Sequence, residues 1–273
     1  MIVLLIVFAL LFLIPEIFRP PRPTYPVKQK AQFHAIDAAL GLFKSEFDGY
    51  PPSGALDEDG RPYCGAMKLS ESMMGRDLMG FHPNSVFCSD GTDTKGNMLY
   101  PKSGAVSEEA YRDSLEARKG PYLPLDNANA YTLADIYGEG NTGAFDPNNY
   151  VLCDVFMHIK IQGKRKKIGM PILYYKADTS KTAHDVDDPN NPENIYDYRD
   201  NHALLALGVP GKPGQKHPLY EDPKIFYEIA INDRVAEPNA PFRAETYILL
   251  SAGHDGLYGT KDDITNFDFR WKR

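Results

Sequence analysis

The clearest periodic stretch of the sequence is VKQKAQFHAIDAALGLFKSEFD, residues 27–48. Its apolar residues recur three or four positions apart, the spacing that places side chains on one face of an α-helix. The members of this stripe are Phe33, Ile36, Leu40, Phe43 and Phe47. Gly49 follows, and then Tyr50-Pro51-Pro52, which stops a helix. The stretch therefore predicts an amphipathic helix that buries its stripe against another layer of structure.

An apolar run lies upstream of this helix. Residues 1–14 read MIVLLIVFALLFLI, and only Pro15 and Glu16 interrupt its extension to residue 18. The run is shorter than the roughly 20 residues of a typical spanning helix, but it also lacks the small-residue cleavage site of a signal peptide. We therefore expect residues 1–18 to be a retained membrane-anchor helix. Residues 19–26, RPPRPTYP, form a stiff proline-rich spacer.

The charges beside the apolar run bear on its orientation. The basic residues that follow it are Arg19, Arg22, Lys28 and Lys30. Because positive residues favour the cytoplasmic side of a membrane, a literal reading of these charges puts the body of the protein in the cytoplasm.

Composition narrows the classes of protein. Hydrophobic residues make up 42% of the 273 residues and charged residues 25%, which is enough for a packed core. The 22 glycines and 22 prolines argue against a helix bundle and for a loop-rich body. The formal net charge is −7, so the chain has no basic footprint for a nucleic-acid partner.

The remaining elements complete an α+β prediction. The segments rich in strand formers are 150–161, 168–177 and 243–251, and the first two flank the basic turn QGKRKK as a β-hairpin. Residues 64–79, with a methionine-rich core face, and residues 107–119, capped by Ser107, predict two further helices. We expect the amphipathic helix to pack on an antiparallel sheet built from residues 150–177 and 243–267. Residues 27–273 then form one globular domain with a large loop-rich insertion at 55–149.

Motifs that would indicate an enzyme are weak or absent. Gly138, Gly140 and Gly143 form a GxGxxG pattern, but the residues that follow, Ala-Phe-Asp-Pro, cannot open the helix that a dinucleotide site needs. The seven histidines show no metal-ligand spacing, and no HExxH or GxSxG occurs. We therefore expect a protein that is not an enzyme.

The acidic, glycine-rich segment SAGHDGLYGTKDDI, residues 251–264, has the composition of a calcium loop. Calcium takes six to eight oxygen ligands, and glycines let the backbone fold back and turn carbonyls inward. The proposed ligands are the side chains of Ser251, Asp255, Asp262 and Asp263, together with carbonyls such as that of Leu250. The alternative is a plain Asp/Gly turn between two strands.

The order of these parts resembles type IV pilin-like proteins, and most of all the major pseudopilin of type II secretion systems. Three stretches carry the resemblance: AIDAALGLFKSEFDGYPPSG at 35–54, GMPILYY at 169–175 and LLSAGHDGLYGTKDDI at 249–264. The resemblance covers roughly residues 1–54 and 150–267. It implies a pilin-like fold with a calcium-stabilised C-terminal loop.

The resemblance also implies a function and a location. It implies a structural, non-enzymatic subunit of a type II secretion or type IV pilus-like assembly, whose partners are other pseudopilin or secretion-system subunits, the membrane and further copies of itself. It places a single span in the cytoplasmic (inner) membrane and the globular domain on the extracytoplasmic side, opposite to the literal reading of the flanking charges. External calcium would fill the loop there, and Cys64 and Cys88 either pair or remain ordinary thiols like Cys153.

Some features depart from the family. The given residues show no counterpart of the family's basic leader or of the phenylalanine and glutamate that follow the processing point, and Glu16 lies on the wrong side of the apolar run to replace that glutamate. Either the sequence starts at an internal methionine, or the protein is a divergent member that is anchored but not processed. The spacer at 19–26 would break the family's continuous first helix. The alternative is a membrane-anchored extracytoplasmic binding module that uses the fold without filament assembly, with residues 55–149 as its recognition surface. A third hypothesis is an anchored enzyme with its site in those residues.

Overall fold

The structure is a computed structural model that describes residues 24–160, 167–232, 234–235 and 240–268. The expected anchor at 1–18 and residues 19–23 of the spacer lie outside the described residues, as does most of the basic hairpin turn. The last two spacer residues, Tyr25 and Pro26, belong to the first described helix rather than to an extended segment. Within the described ranges, no helix is both long enough and apolar enough to cross a membrane.

The chain folds into mixed helices and small antiparallel sheets, which confirms the α+β composition of the prediction. The α-helices are α1 (Tyr25–Phe47), α2 (Gly65–Met74), α3 (Glu108–Ala117), α4 (Leu125–Ala128), α5 (Leu133–Tyr137), α6 (His202–Leu205), α7 (Pro218–Glu221) and α8 (Lys224–Ala230). The strands are β1 (Ala130–Thr132), β2 (Tyr150–Leu152), β3 (Ile159–Lys160), β4 (Lys167–Ile168), β5 (Leu173–Lys176), β6 (Tyr247–Ser251) and β7 (Ile264–Thr265). Short 3₁₀ turns lie at Glu139–Asn141 and Tyr198–Asn201.

The central sheet has the order β5–β6–β7, and every residue of β6 is buried. The expected partnership of residues 150–177 with 243–267 holds for β5, in which Tyr174 lies opposite Leu249. It does not hold for β2, which pairs instead with β1, a strand that the sequence did not predict. The two segments of the predicted β-hairpin still pair with each other, because β3 pairs with β4 and the Ile172 amide donates to the Leu152 carbonyl at 2.7 Å.

Helix α1 matches its prediction closely. The stripe residues Phe33, Ile36, Leu40 and Phe43 are at most 4% exposed. The helix lies against β7 and against α2. Beside the sheet, the Asp37 carboxylate accepts a hydrogen bond from the Tyr247 hydroxyl at 2.6 Å. The amphipathic stripe thus packs between the sheet edge and a second helix rather than on the sheet alone.

Helix α2 contributes its whole length to the core. All ten of its residues are buried, and it packs on β2, β5 and α1. The predicted helix over 64–79 is too long at its end: α2 ends at Met74, before Gly75, whose φ is +74°, and Met79 is exposed rather than part of the core. Residues 55–149 therefore supply central packing as well as loops.

A buried carboxylate ties the turn-rich segment after α2 to this helix. Glu71 accepts hydrogen bonds from the hydroxyls of Tyr63 at 2.6 Å, Ser85 at 2.6 Å and Tyr100 at 3.0 Å. Buried polar groups are stable when they are bonded in this way. Further along, the Ser107 hydroxyl accepts from the Ala110 amide at 3.2 Å, which confirms the predicted cap of α3.

Candidate functional site

The C-terminal acidic loop, residues 252–263, joins β6 to β7. It folds back on itself at Gly253, which has a φ of +63°. A Cβ added at Gly253 would lie 2.1 Å from the Asp262 carbonyl oxygen, so only glycine allows this approach. The turn brings the start of the loop against its end.

Asp262 organises this closure. Its Oδ2 accepts a hydrogen bond from the Asp255 amide at 2.9 Å, and its Oδ1 accepts from the Thr260 hydroxyl at 2.6 Å. Burial raises the pKa of Asp262, but these hydrogen bonds outweigh it and hold the pKa below its usual range. The carboxylate is therefore ionised at neutral pH.

One carboxyl oxygen of Asp263 has no hydrogen-bond partner among the described residues. Its Oδ2 accepts from the Gly259 amide at 2.7 Å, whereas its Oδ1 is buried and has no hydrogen-bond partner. Burial, together with the negative charges of Asp262 and Asp255, raises the pKa of Asp263 well above its usual range. A buried carboxyl oxygen without a partner, next to two further carboxylates, is an arrangement that a hard cation would relieve.

Asp255 is exposed at the outer side of the loop. Its Oδ1 accepts from the Leu257 amide at 2.8 Å. The Asp255 amide bonds to Asp262, and the negative charges of Asp262 and Asp255 contribute, after burial, to the raised pKa of Asp263. As the side chains stand, the described residues contain no group of three His, Cys, Asp or Glu that could hold a metal ion. Calcium also takes carbonyl and hydroxyl oxygens, so the residues fit that ion in the character of their donors.

The two remaining predicted ligands belong to the strand. Ser251 is fully buried, and its hydroxyl donates to Asp154 Oδ2 at 2.8 Å and accepts from the Gly253 amide at 3.2 Å. Leu250 is paired within the sheet, opposite Leu173 and Thr265. The structure thus links Asp255 to Asp262 through a backbone amide, does not gather the three aspartates into one ligand group, and engages the serine hydroxyl with Asp154 at the base of the loop.

Asp154 is the residue that the sequence did not reveal. Burial raises its pKa to about 7, although hydrogen bonds from Ser251 and from the Phe156 and Met170 amides lower it. The one sequence feature that reflects the position of Asp154 is Gly169, because any larger residue there would place a Cβ 2.1 Å from Asp154 Oδ1. Sequence alone does not distinguish such a glycine from one in an ordinary turn.

The three cysteines are free and buried. The structure therefore contains Cys64 and Cys88 as thiols, one of the two alternatives for this pair. Burial raises the pKa of the Cys64 thiol to about 11, so this thiol stays protonated and unreactive at neutral pH.

Comparison with known proteins does not assign the chain to a family. No family model, no curated protein and no solved structure matches the chain. The candidate site is therefore defined by the geometry of residues 250–264 and their contact with Asp154.

Proposed function

We propose that this protein is a structural, non-enzymatic subunit of a pilin-like assembly, similar to the pseudopilins of type II secretion systems. Residues 1–18 anchor it in the membrane, and calcium stabilises its C-terminal loop. The observation that carries the proposal is the buried Oδ1 of Asp263, which has no hydrogen-bond partner at the junction of the last two strands.

The order of elements supports the proposal. A long N-terminal helix, α1, buries an apolar stripe beside an antiparallel sheet, and the last two strands of that sheet flank the acidic loop. The resemblance to pseudopilins implies the same succession of helix, sheet and calcium loop. Fold by itself does not fix function, so the loop carries more of the argument than the architecture.

Calcium has a defined task in this proposal. The ion offsets the negative charge of the carboxylates of Asp255, Asp262 and Asp263, and nearby carbonyl oxygens complete its coordination shell. The chain's own residues close the loop through the contact of Gly253 with Asp262 and fix its base through the bond of Ser251 with Asp154. Removal of the ion leaves these acidic side chains without a counter-charge and Oδ1 of Asp263 without a partner, and both effects loosen the connection between β6 and β7.

Assembly is tested by cross-linking in membranes. The full chain, carrying a C-terminal affinity tag, is expressed in its native host, cross-linked in intact cells and purified in detergent. We expect covalent adducts with further copies of the chain or with pilin-like subunits, and we expect the protein in the membrane fraction. Recovery in the soluble fraction without adducts would contradict the proposed function.

A further inference from the structure

A cavity of about 720 Å³ opens between residues 76–79, 98–106 and 146–148, and Asp90 and Tyr111 also line it. We propose that it binds a small uncharged molecule with an apolar body and at least one hydrogen-bond acceptor. Its volume is within the range of about 300 to 1,000 Å³ that is typical of ligand pockets. The cavity lies entirely within residues 55–149, away from the acidic loop, so the inference does not depend on the proposed function.

Exposed apolar side chains converge on this cavity. Met79 is 46% exposed, Met98 53% and Val106 37%, and all three line it. Covering such surface releases water and favours binding by about 25 cal/mol per Å². Methionine side chains are flexible and polarisable, so they adapt to the shape of an apolar ligand.

Two of the three acidic groups that line the cavity are neutralised by arginines, and the third, Asp146, accepts hydrogen bonds from the amide and the side chain of Asn148. Asp77 accepts hydrogen bonds from Nη1 of Arg118 at 2.6 Å to each of its carboxylate oxygens. Asp90 accepts from Arg61 Nη1 at 2.5 Å. At these two positions a ligand meets ion pairs, from which a cation gains little, and two further charged residues of the lining, Asp146 and Lys102, are opposite in sign.

Arg76 provides the polar contact. Its Nη1 donates to the Cys88 carbonyl at 3.2 Å and its Nη2 to Asn149 Oδ1 at 2.9 Å, which fixes the guanidinium in the cavity wall. A guanidinium has five N–H donors, so donors remain for an acceptor on a ligand. Asp146 lines the same cavity as Arg76, and its negative charge opposes an anionic ligand and favours a neutral acceptor.

The cavity has one fixed wall and one loosely held wall. Tyr100 forms the fixed wall, because its hydroxyl donates to Glu71 and accepts from the His82 amide, each at 3.0 Å. The loosely held wall includes Tyr111 of α3, a helix that has no buried residue and is bonded at its C-terminal half through the Ser114 hydroxyl to the Leu99 carbonyl. A weakly packed helix beside a pocket offers a route for entry.

The test is a fluorescence titration of the full chain with Nile red, a neutral apolar dye that carries a carbonyl acceptor. We expect saturable binding with a stoichiometry of one. The variant Met98→Arg places a charge in the cavity, and we expect it to weaken binding about tenfold or more. The matched control is Met157→Arg, because Met157 is 55% exposed and lies outside the cavity. This control should bind as the wild type does.

Two results would overturn the inference. One is binding that does not saturate, or that changes equally in both variants, since the dye would then be reporting exposed surface in general. The other is a Met98-dependent site that prefers an anionic dye such as anilinonaphthalene sulfonate over Nile red, which would exclude an uncharged ligand. Far-UV circular dichroism on both variants establishes that each is folded.

Discussion

Replacing Asp200 by asparagine should change how stability depends on pH. Asp200 is 7% exposed and lies in the 3₁₀ turn before α6. Its Oδ2 accepts a hydrogen bond from the Ser53 hydroxyl, and Ser53 Oγ accepts from the Lys176 amide at 2.9 Å. The acid therefore connects the chain after α1 to the edge strand β5. Burial raises its pKa to about 7, although the bond from Ser53 lowers it.

The size of the effect follows from that pKa. The ordinary value for an aspartate is 3.8, so folding raises the pKa of Asp200 by about 3 units, and each unit corresponds to about 1.36 kcal/mol. The folded protein keeps this proton to a higher pH than the unfolded chain does. Stability therefore falls as pH rises from about 4 to about 7, by about 4 kcal/mol in total, and the loss is complete above pH 7. Asparagine does not ionise, so the variant Asp200→Asn should not lose this stability as the pH rises.

Urea unfolding from pH 4.5 to 8.5 measures this difference. We expect the free energy of unfolding of Asp200→Asn to be close to that of the wild type at pH 4.5 and higher by several kcal/mol at pH 8.5. The control Asp113→Asn, at an exposed position on α3, should keep the pH profile of the wild type. Parallel profiles for the wild type and Asp200→Asn, or a wild type that is the more stable at pH 8.5, would refute the reasoning.

Two further predictions test packing and backbone geometry by thermal and urea unfolding. Phe43→Ala in the buried stripe of α1 should cost about 3 to 5 kcal/mol, whereas Leu42→Ala, at a residue that is 57% exposed, should cost less than about 0.5 kcal/mol. Equal losses would mean that the stripe is not the buried face. Gly75→Ala should cost well over about 2 kcal/mol, because the new Cβ would lie 2.0 Å from the Gly80 carbonyl oxygen. Gly96 has a similar positive φ but open space around it, so Gly96→Ala should cost only about 1 to 2 kcal/mol, and a loss as large as that of Gly75→Ala would contradict the proposed clash.

Local pattern was enough to predict several elements. Helix α1 could be predicted because its five-residue apolar stripe has a strict helical period and proline follows it. Helix α3 could be predicted because Ser107, which caps it, precedes two glutamates. Strand β6 could be predicted because it is a short run of strong strand formers. In each case the signal lies within the element itself.

Tertiary contacts decide what the sequence did not reveal. Lys68 and Glu71 suggest a solvated face on α2, yet both are buried. Lys68 is accommodated because its Nζ donates to the carbonyls of Gly54 and Leu56 at 2.8 Å each, and Glu71 because three hydroxyls bond to it. Strand β1 has only three residues, and its pairing with β2 defines it rather than its own composition. For the same reason, the sequence grouped Ser251 with the loop aspartates and missed its bond to Asp154.

The calcium loop is tested most directly by isothermal titration of the metal-free protein with calcium. The account predicts one bound ion per chain and a higher melting temperature in calcium than in chelator for the wild type. Both effects should be lost in Asp263→Asn and kept in Asp268→Asn, since Asp268 is an exposed residue paired with Lys30 at 3.3 Å outside the loop. An absence of binding heat in the wild type, with a melting temperature that calcium and chelator leave unchanged, would contradict the account.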